Sequence, residues 1–238
     1  MSHVTDDSAA VDWHVVPGYP RFYRPDVIES GLHRLAGATN IVAAAGAASS
    51  LDGGGLVHGH SAAVMPAAAM AAPILVDIME HGHPTAKAGA RRLLYESMWY
   101  AAVDGYTRVS TSFGSAVPIC CAVAHHIHAR RDALRALHPF GRGLLAEADK
   151  HWQFTVSEVV DDGPDTVAFG SVTGIVPNGR QIAECHTATK YYLRCTFRLE
   201  YPLVPGDSDA SLRLFDFTPQ IVRTNSVLLS AECGDRVH

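Results

Sequence analysis

The spacing of apolar side chains changes once along this chain, at Lys150–Trp152. Before that point they recur at three- and four-residue steps, the spacing of one face of an α-helix. After it they alternate with polar residues, the two-residue repeat of a strand with one wet face. A single switch of this kind predicts an α+β fold, an N-terminal layer of antiparallel helices followed by a C-terminal antiparallel β-sheet.

In the first part, Asp26 with Glu29 three residues on forms a capping-box pattern. Ile28, Leu32, Leu35 and Val42 continue its apolar stripe. A second helix is expected from Ser61, a good N-cap, through Met65, Ala68, Ala72, Leu75 and Met79 to a stop at Gly82. Pro66 fits an early turn, and Pro73 predicts a kink or a restart because it removes a donor. Further helices are expected over 85–102, with Ala90, Leu93, Leu94, Ser97, Met98 and Ala101 inward, over 115–137 and over 140–150. The glycines of "LDGGGLVHGHS" lack the lysine and the preceding strand of a phosphate loop, so they read as a hinge into the second helix.

Beyond residue 150, Trp152, Phe154, Val156 and Val160 alternate with Gln153, Thr155 and Ser157. "KYYLRCTFRLEY" puts Tyr191, Leu193, Cys195, Phe197, Leu199 and Tyr201 on one face, with Lys190, Arg194, Thr196, Arg198 and Glu200 on the other. Strands are also expected over 166–176, 212–217 and 226–232, joined by turn residues in "DDGPD", "PNG" and "VPGDSD". The organisation expected is an arm over residues 1–24, a helical region over 25–150 and a β region over 151–238 packed on the helices as one unit.

Composition narrows the function classes. A net charge of −5, with no basic stripe in either part, argues against nucleic acid as a partner. The start, "MSHVTDDSAA", lacks the features of a signal peptide, and the apolar run 62–78 holds two prolines and Asp77. The expectation is a soluble cytoplasmic protein without a membrane partner. The 5 cysteines are odd in number and show no CxxC spacing, so neither a disulfide framework nor a cysteine zinc knuckle is expected. Cys120 and Cys121, inside "AVPICCAVA", read as inert core thiols.

The 14 histidines are the unusual feature. His125 and His128, three apart, share a helix face, as do Glu147 and His151, four apart. Packed antiparallel, these four side chains could converge on a divalent metal, as imidazole and carboxylate ligands do in helical bundles. No HExxH or paired ExxH motif accompanies them, and histidines near helix C-termini are favoured electrostatically without any ligand. No cofactor is therefore predicted. The aromatics Tyr95, Trp99, Tyr100 and Tyr106, with Trp152, form a second candidate set. They read as a helix–sheet junction or as anchors for a partner or ligand.

The stretch running from His60 and Ser61 through Pro66, Ala67, Pro73, Leu75 and Ile78 to Arg92, Leu93 and Leu94 resembles the helix pairs of bacterial, actinobacterial-type HEAT-like repeat proteins. "GYTRV" and "LLAEADKHWQFTVSEV" are similar to their later parts, and the resemblance spans about residues 25–160. It implies an immunity- or accessory-like factor that binds a protein partner, and it brings no catalytic residues. The strands after residue 160 run on longer than in that group. The leading expectation is a noncatalytic binding protein. The rival is a small-molecule tailoring enzyme using His60, His125, His128, Glu147 or His151 as acid–base groups or metal ligands between helices and sheet.

Overall fold

The computed structural model describes residues 11–187, 192–203, 209–215 and 221–238. Lys190 and Tyr191, the turn residues 204–208 and Phe217 lie outside the described residues. The chain is α+β. Helices α1 (Pro25–Ala36), α2 (Ile41–Gly54), α3 (Ala67–His81), α4 (Pro84–Trp99), α5 (Ile119–Ala129), α6 (Arg131–Ala136) and α7 (Phe140–Ala148) precede the main sheet, and a short α8 (Ala231–Asp235) follows it. α1 packs on α2 and α3 on α4, while α2, α5 and α7 all contact α4.

The expected inward stripes are buried: Ile28, Leu32 and Leu35 on α1, and Ala90, Leu93, Leu94, Ser97 and Met98 on α4. Other expectations need correction. The capping box of α1 does not form; Arg24 is its N-cap and gives no side-chain cap. Val42 belongs to a separate helix, α2, capped by the Asn40 side chain accepting from the Ala43 amide. The helix at Ser61 begins only at Ala67, because Gly59–Ser61 forms a 3-10 turn and Ala62 takes a left-handed conformation. Pro73 sits inside an unbroken α3. Trp13, in the expected arm, is buried in the helical core.

The first 150 residues also hold five short strands where none was expected. β1 (Val57–His58), β2 (Ala63–Val64) and β3 (Ala101–Ala102) form a three-stranded sheet, and β4 (Arg108–Thr111) pairs with β5 (Gly114–Pro118). Segments of two to five residues are too short to display a period. Pro118 also biases Val117 towards extended backbone and delays α5 to Ile119.

After residue 150 the strands are β6 (Gln153–Asp162), β7 (Asp165–Thr173), β8 (Gln181–His186), β9 (Tyr192–Leu199), β10 (Asp209–Phe215) and β11 (Val227–Ser230). They do not make an open sheet. They close into a barrel in the order β10-β7-β6-β11-β8-β9, with every described pairing antiparallel. Trp152, Phe154, Val156, Cys195 and Phe197 point into the barrel core as the alternation requires. A register shift between Val156 and Glu158 breaks the alternation, so Val159 packs against the core and Val160 is exposed. Leu193 and Tyr201 are exposed, against expectation.

Among the contacts that fasten the barrel to the helical part, those of β11 and of Glu184 lie deepest. β11 is buried on both faces: Val227 and Leu229 lie in the helical core and Leu228 in the barrel core. Beside it, the fully buried Glu184 of β8 takes two 2.7 Å hydrogen bonds from Arg108 of β4, with His186 Nε2 at 3.3 Å. A side chain at Gly234 would collide with this pair. Burial alone would push the Glu184 carboxyl up, but hydrogen bonds from Arg108 and His186 reverse this and hold it below its ordinary value. A depressed carboxylate contributes stability above its unfolded pKa and loses it as pH falls through the folded one. Glu184→Gln is expected to cost about 3–5 kcal/mol at neutral pH, because it leaves Arg108 without its counter-charge. Urea titrations at pH 7 and below the ordinary value of 4.5 should show that the variant and wild type converge in acid.

Candidate functional site

Pro118 starts α5 and places Cys120 and Cys121 in its first turn, where free amide groups favour negative charge. The turn after α7 delivers His151, whose amide donates to the Ala148 carbonyl at 2.9 Å. The chain leaving β11 enters α8 and brings Cys233 to the same spot. One donor atom from each of Cys120, Cys121, His151 and Cys233 lies within 4.8 Å of the other three. His151 Nδ1 is 3.3 Å from Cys233 Sγ. His151 is 5% exposed, and its Nε2 has no hydrogen-bond partner among the described residues.

Mutual hydrogen bonds set the three thiols of this cluster apart. Hydrogen bonds from Cys121 and Cys233 hold the Cys120 thiol well below its ordinary value, with His151 adding to the effect against burial. Hydrogen bonds with Cys120, together with burial, push Cys121 and Cys233 up. Arg236 hydrogen-bonds to the carbonyl of Met98 at 2.8 Å and is attracted to the Cys120 sulfur. A cavity of about 10 Å³, lined in part by Cys120, Cys233, Arg236 and Tyr100, adjoins the sulfurs. It is water-sized and excludes an organic substrate. By contrast, Cys185 and Cys195 are pushed up by burial to about 11 and about 12, as inert thiols of the barrel.

The histidines and carboxylate expected to converge do not. His125 Nδ1 meets Gln153 Oε1 at 3.1 Å, and His128 Nε2 meets Asp149 Oδ1 at 3.1 Å. Glu147 accepts from Lys150 at 2.7 Å. His60 is exposed beside His58, which stacks on Phe22. Of that set only His151 enters the one group of three or more potential ligands found among the described residues. The cysteines were missed because the ligand-bearing elements lie far apart in sequence. The usable signal was an adjacent cysteine pair just after a proline.

A second feature is the outer face of the helical layer. Pro84, Ala88, Arg92, Tyr95 and Trp99 follow one another at three- and four-residue steps along α4, so they share a face. Beside them, Ala44, Ala45, Ala48, Ser49 and Gly89 line a shallow groove of about 550 Å³ whose mouth holds Ile41. Ile41 and Val42 are 74% and 78% exposed, and Trp99 is 58% exposed. Tyr100 lies against Trp99, and Tyr106 edge-on to Tyr19. Trp152 does not belong with them: it is 2% exposed, in the barrel core against Phe197.

No protein-family model matches this chain, and no curated protein matches it.

The two tryptophans should separate cleanly by mutation. Trp152→Ala empties a packed barrel and is expected to lower stability by about 3–5 kcal/mol. Trp99→Ala, on the outer face, should stay within about 0.5 kcal/mol of wild type in the same denaturant titration.

Proposed function

We propose that this chain is a noncatalytic protein-binding module, immunity- or accessory-like in use, whose helical layer is HEAT-like. In this reading an amphipathic helix of a partner protein lies along the α2–α4 face. The observation that carries it is the alanine- and glycine-lined groove between α2 and α4, with exposed Ile41 in its lining and exposed Tyr95 and Trp99 farther along the same face of α4. Fifteen helical rises separate Pro84 from Trp99, roughly 22 Å, enough for about four turns of a partner helix. The alanine- and glycine-lined floor lets a third helix approach closely. At one end of the groove Arg92 is held between two carboxylates, Asp52 at 2.9 Å and Glu96 at 3.1 Å, which makes one polar, net acidic step beside the apolar floor. Aromatic and aliphatic anchors around such a groove are the usual energetic centre of an interface.

Photo-crosslinkers at Ala45 and Trp99, with a control at Val160 on the barrel, test this in cells that make the protein. One partner captured at the first two positions and not at the third is expected. Ile41→Asp and Trp99→Asp should each weaken its binding at least about 30-fold, which corresponds to about 2 kcal/mol. Unchanged binding in both variants, or equal capture at Val160, would contradict the reading. A second copy of the chain as the captured species would reassign the face to self-association.

A second reading, a small-molecule tailoring enzyme, draws on a cavity of about 960 Å³ between helices and barrel, lined by His128, Arg131, Arg135, Asp149 and Gly174 among others. Its three guanidinium groups each have a carboxylate partner: Arg130 pairs with Glu80, Arg131 with Asp149, and Arg135 with Asp132. A ligand that raises the melting temperature of wild type and not of His128→Ala would favour this second reading.

A further inference from the structure

We propose that Cys120, Cys121, Cys233 and His151 bind one zinc ion, as a closed structural centre that clasps the C-terminal segment onto the helical layer. This is independent of the partner-binding reading and concerns the C-terminal end of α4, where Arg236 of the returning chain donates to the carbonyls of Met98 and Trp99 and lines one small cavity with Cys120 and Cys233.

The donor set decides the chemistry. Three sulfurs and one imidazole nitrogen form a Cys₃His set, which suits tetrahedral zinc. Around a zinc with Zn–S bonds of about 2.3 Å, neighbouring sulfurs sit roughly 3.8 Å apart. The four donor atoms here all lie within 4.8 Å of one another, so small side-chain adjustments complete the tetrahedron. Each donor comes from an element whose backbone is fixed for another reason: the first turn of α5, the turn closing α7, and α8. With all four positions taken by protein and a water-sized cavity beside them, no site is left open for substrate.

Charge balance points the same way. Three thiolates and a neutral imidazole leave a zinc centre with one excess negative charge. Arg236, which lines the small cavity beside Cys120 and Cys233, supplies one positive charge at that place. The ring orientation also fits: His151 Nδ1, 3.3 Å from Cys233 Sγ, is turned to the sulfurs, where the lone pair of a neutral imidazole can meet a metal. Without a cation, the cluster packs three sulfurs and an imidazole nitrogen within 4.8 Å of one another. Binding zinc releases thiol protons to solvent and converts that packing into coordination.

The experiment uses the full chain, purified under reducing conditions without chelator. Elemental analysis and native mass spectrometry are expected to show one zinc per chain. After removal and replacement by Co²⁺, the spectrum should carry a thiolate-to-cobalt charge-transfer band and the strong visible ligand-field bands of tetrahedral geometry. Cys120→Ser, Cys121→Ser and Cys233→Ser should each lose stoichiometric metal. His151→Gln should keep the charge-transfer band while its ligand-field bands shift. Cys185→Ser and Cys195→Ser, in the barrel, should retain full metal. If the site variants fail to fold, the cobalt spectrum of wild type decides alone. A reduced wild-type chain that takes up no stoichiometric zinc or cobalt overturns the proposal. So does a disulfide among Cys120, Cys121 and Cys233 in anaerobically isolated protein, or Cu(I) as the stoichiometric ion.

Discussion

Everything in this molecule turns on β11 being buried on both faces. A strand of a small barrel ordinarily shows one face to the core and one to water. Here Leu228 fills the barrel while Val227 and Leu229 on the other side complete the helical core. The barrel therefore cannot turn against the helices without exposing a strand's worth of apolar surface. The same strand also aims the C-terminal segment. Because β11 runs into the helical core, α8 begins beside α5, Cys233 meets Cys120, and Arg236 reaches the end of α4. The chain end then pairs with β3 through Ala102 and Val237. The Arg108–Glu184 pair flanks this seam and ties β4 to β8 across it.

The change of period at residue 150 was legible because it reflects burial geometry over long segments. It separated the main helices from the six-stranded barrel but missed the five short strands before it and α8 after it, and the buried positions of α1 and α4 fall on the stripes as read except Val42 and Ala101. The features that escaped lie where periodicity carries no information. α2, "IVAAAGAASSLDGG", is almost uniformly small and apolar, so no face stands out, and only Asn40 and the glycines mark its ends. Gly55, at φ +132, ends that helix by adopting a conformation other residues avoid, which reads in the sequence as a simple hinge. Barrel closure was invisible because alternation is the same in an open sheet and a closed one. The slip at Val160 came from a bulge, which sequence alternation does not announce.

The candidate sites divide on the same principle. The aromatic residues of α4 were found because they sit on one helix within a few turns of one another. Trp152 was grouped with them by sequence and residue type, and the barrel claims it instead. The thiol and imidazole cluster joins positions more than a hundred residues apart, which only the seam brings together. The helical layer thus offers an apolar outer groove at α2 and α4, and holds a buried polar cluster at the start of α5. The first suits recognition and the second suits anchoring. No described helix is long and apolar enough to cross a membrane.

Native-state hydrogen exchange at β11 tests this account most directly. If the strand belongs to both cores, the amides of Val227, Leu228 and Leu229 will exchange only with global unfolding, at the same free energy as the slowest amides of α4 and β7. Exchange at β11 through a lower-energy opening, while α4 and β7 stay protected, would show that the barrel and helices are held together by something other than this strand.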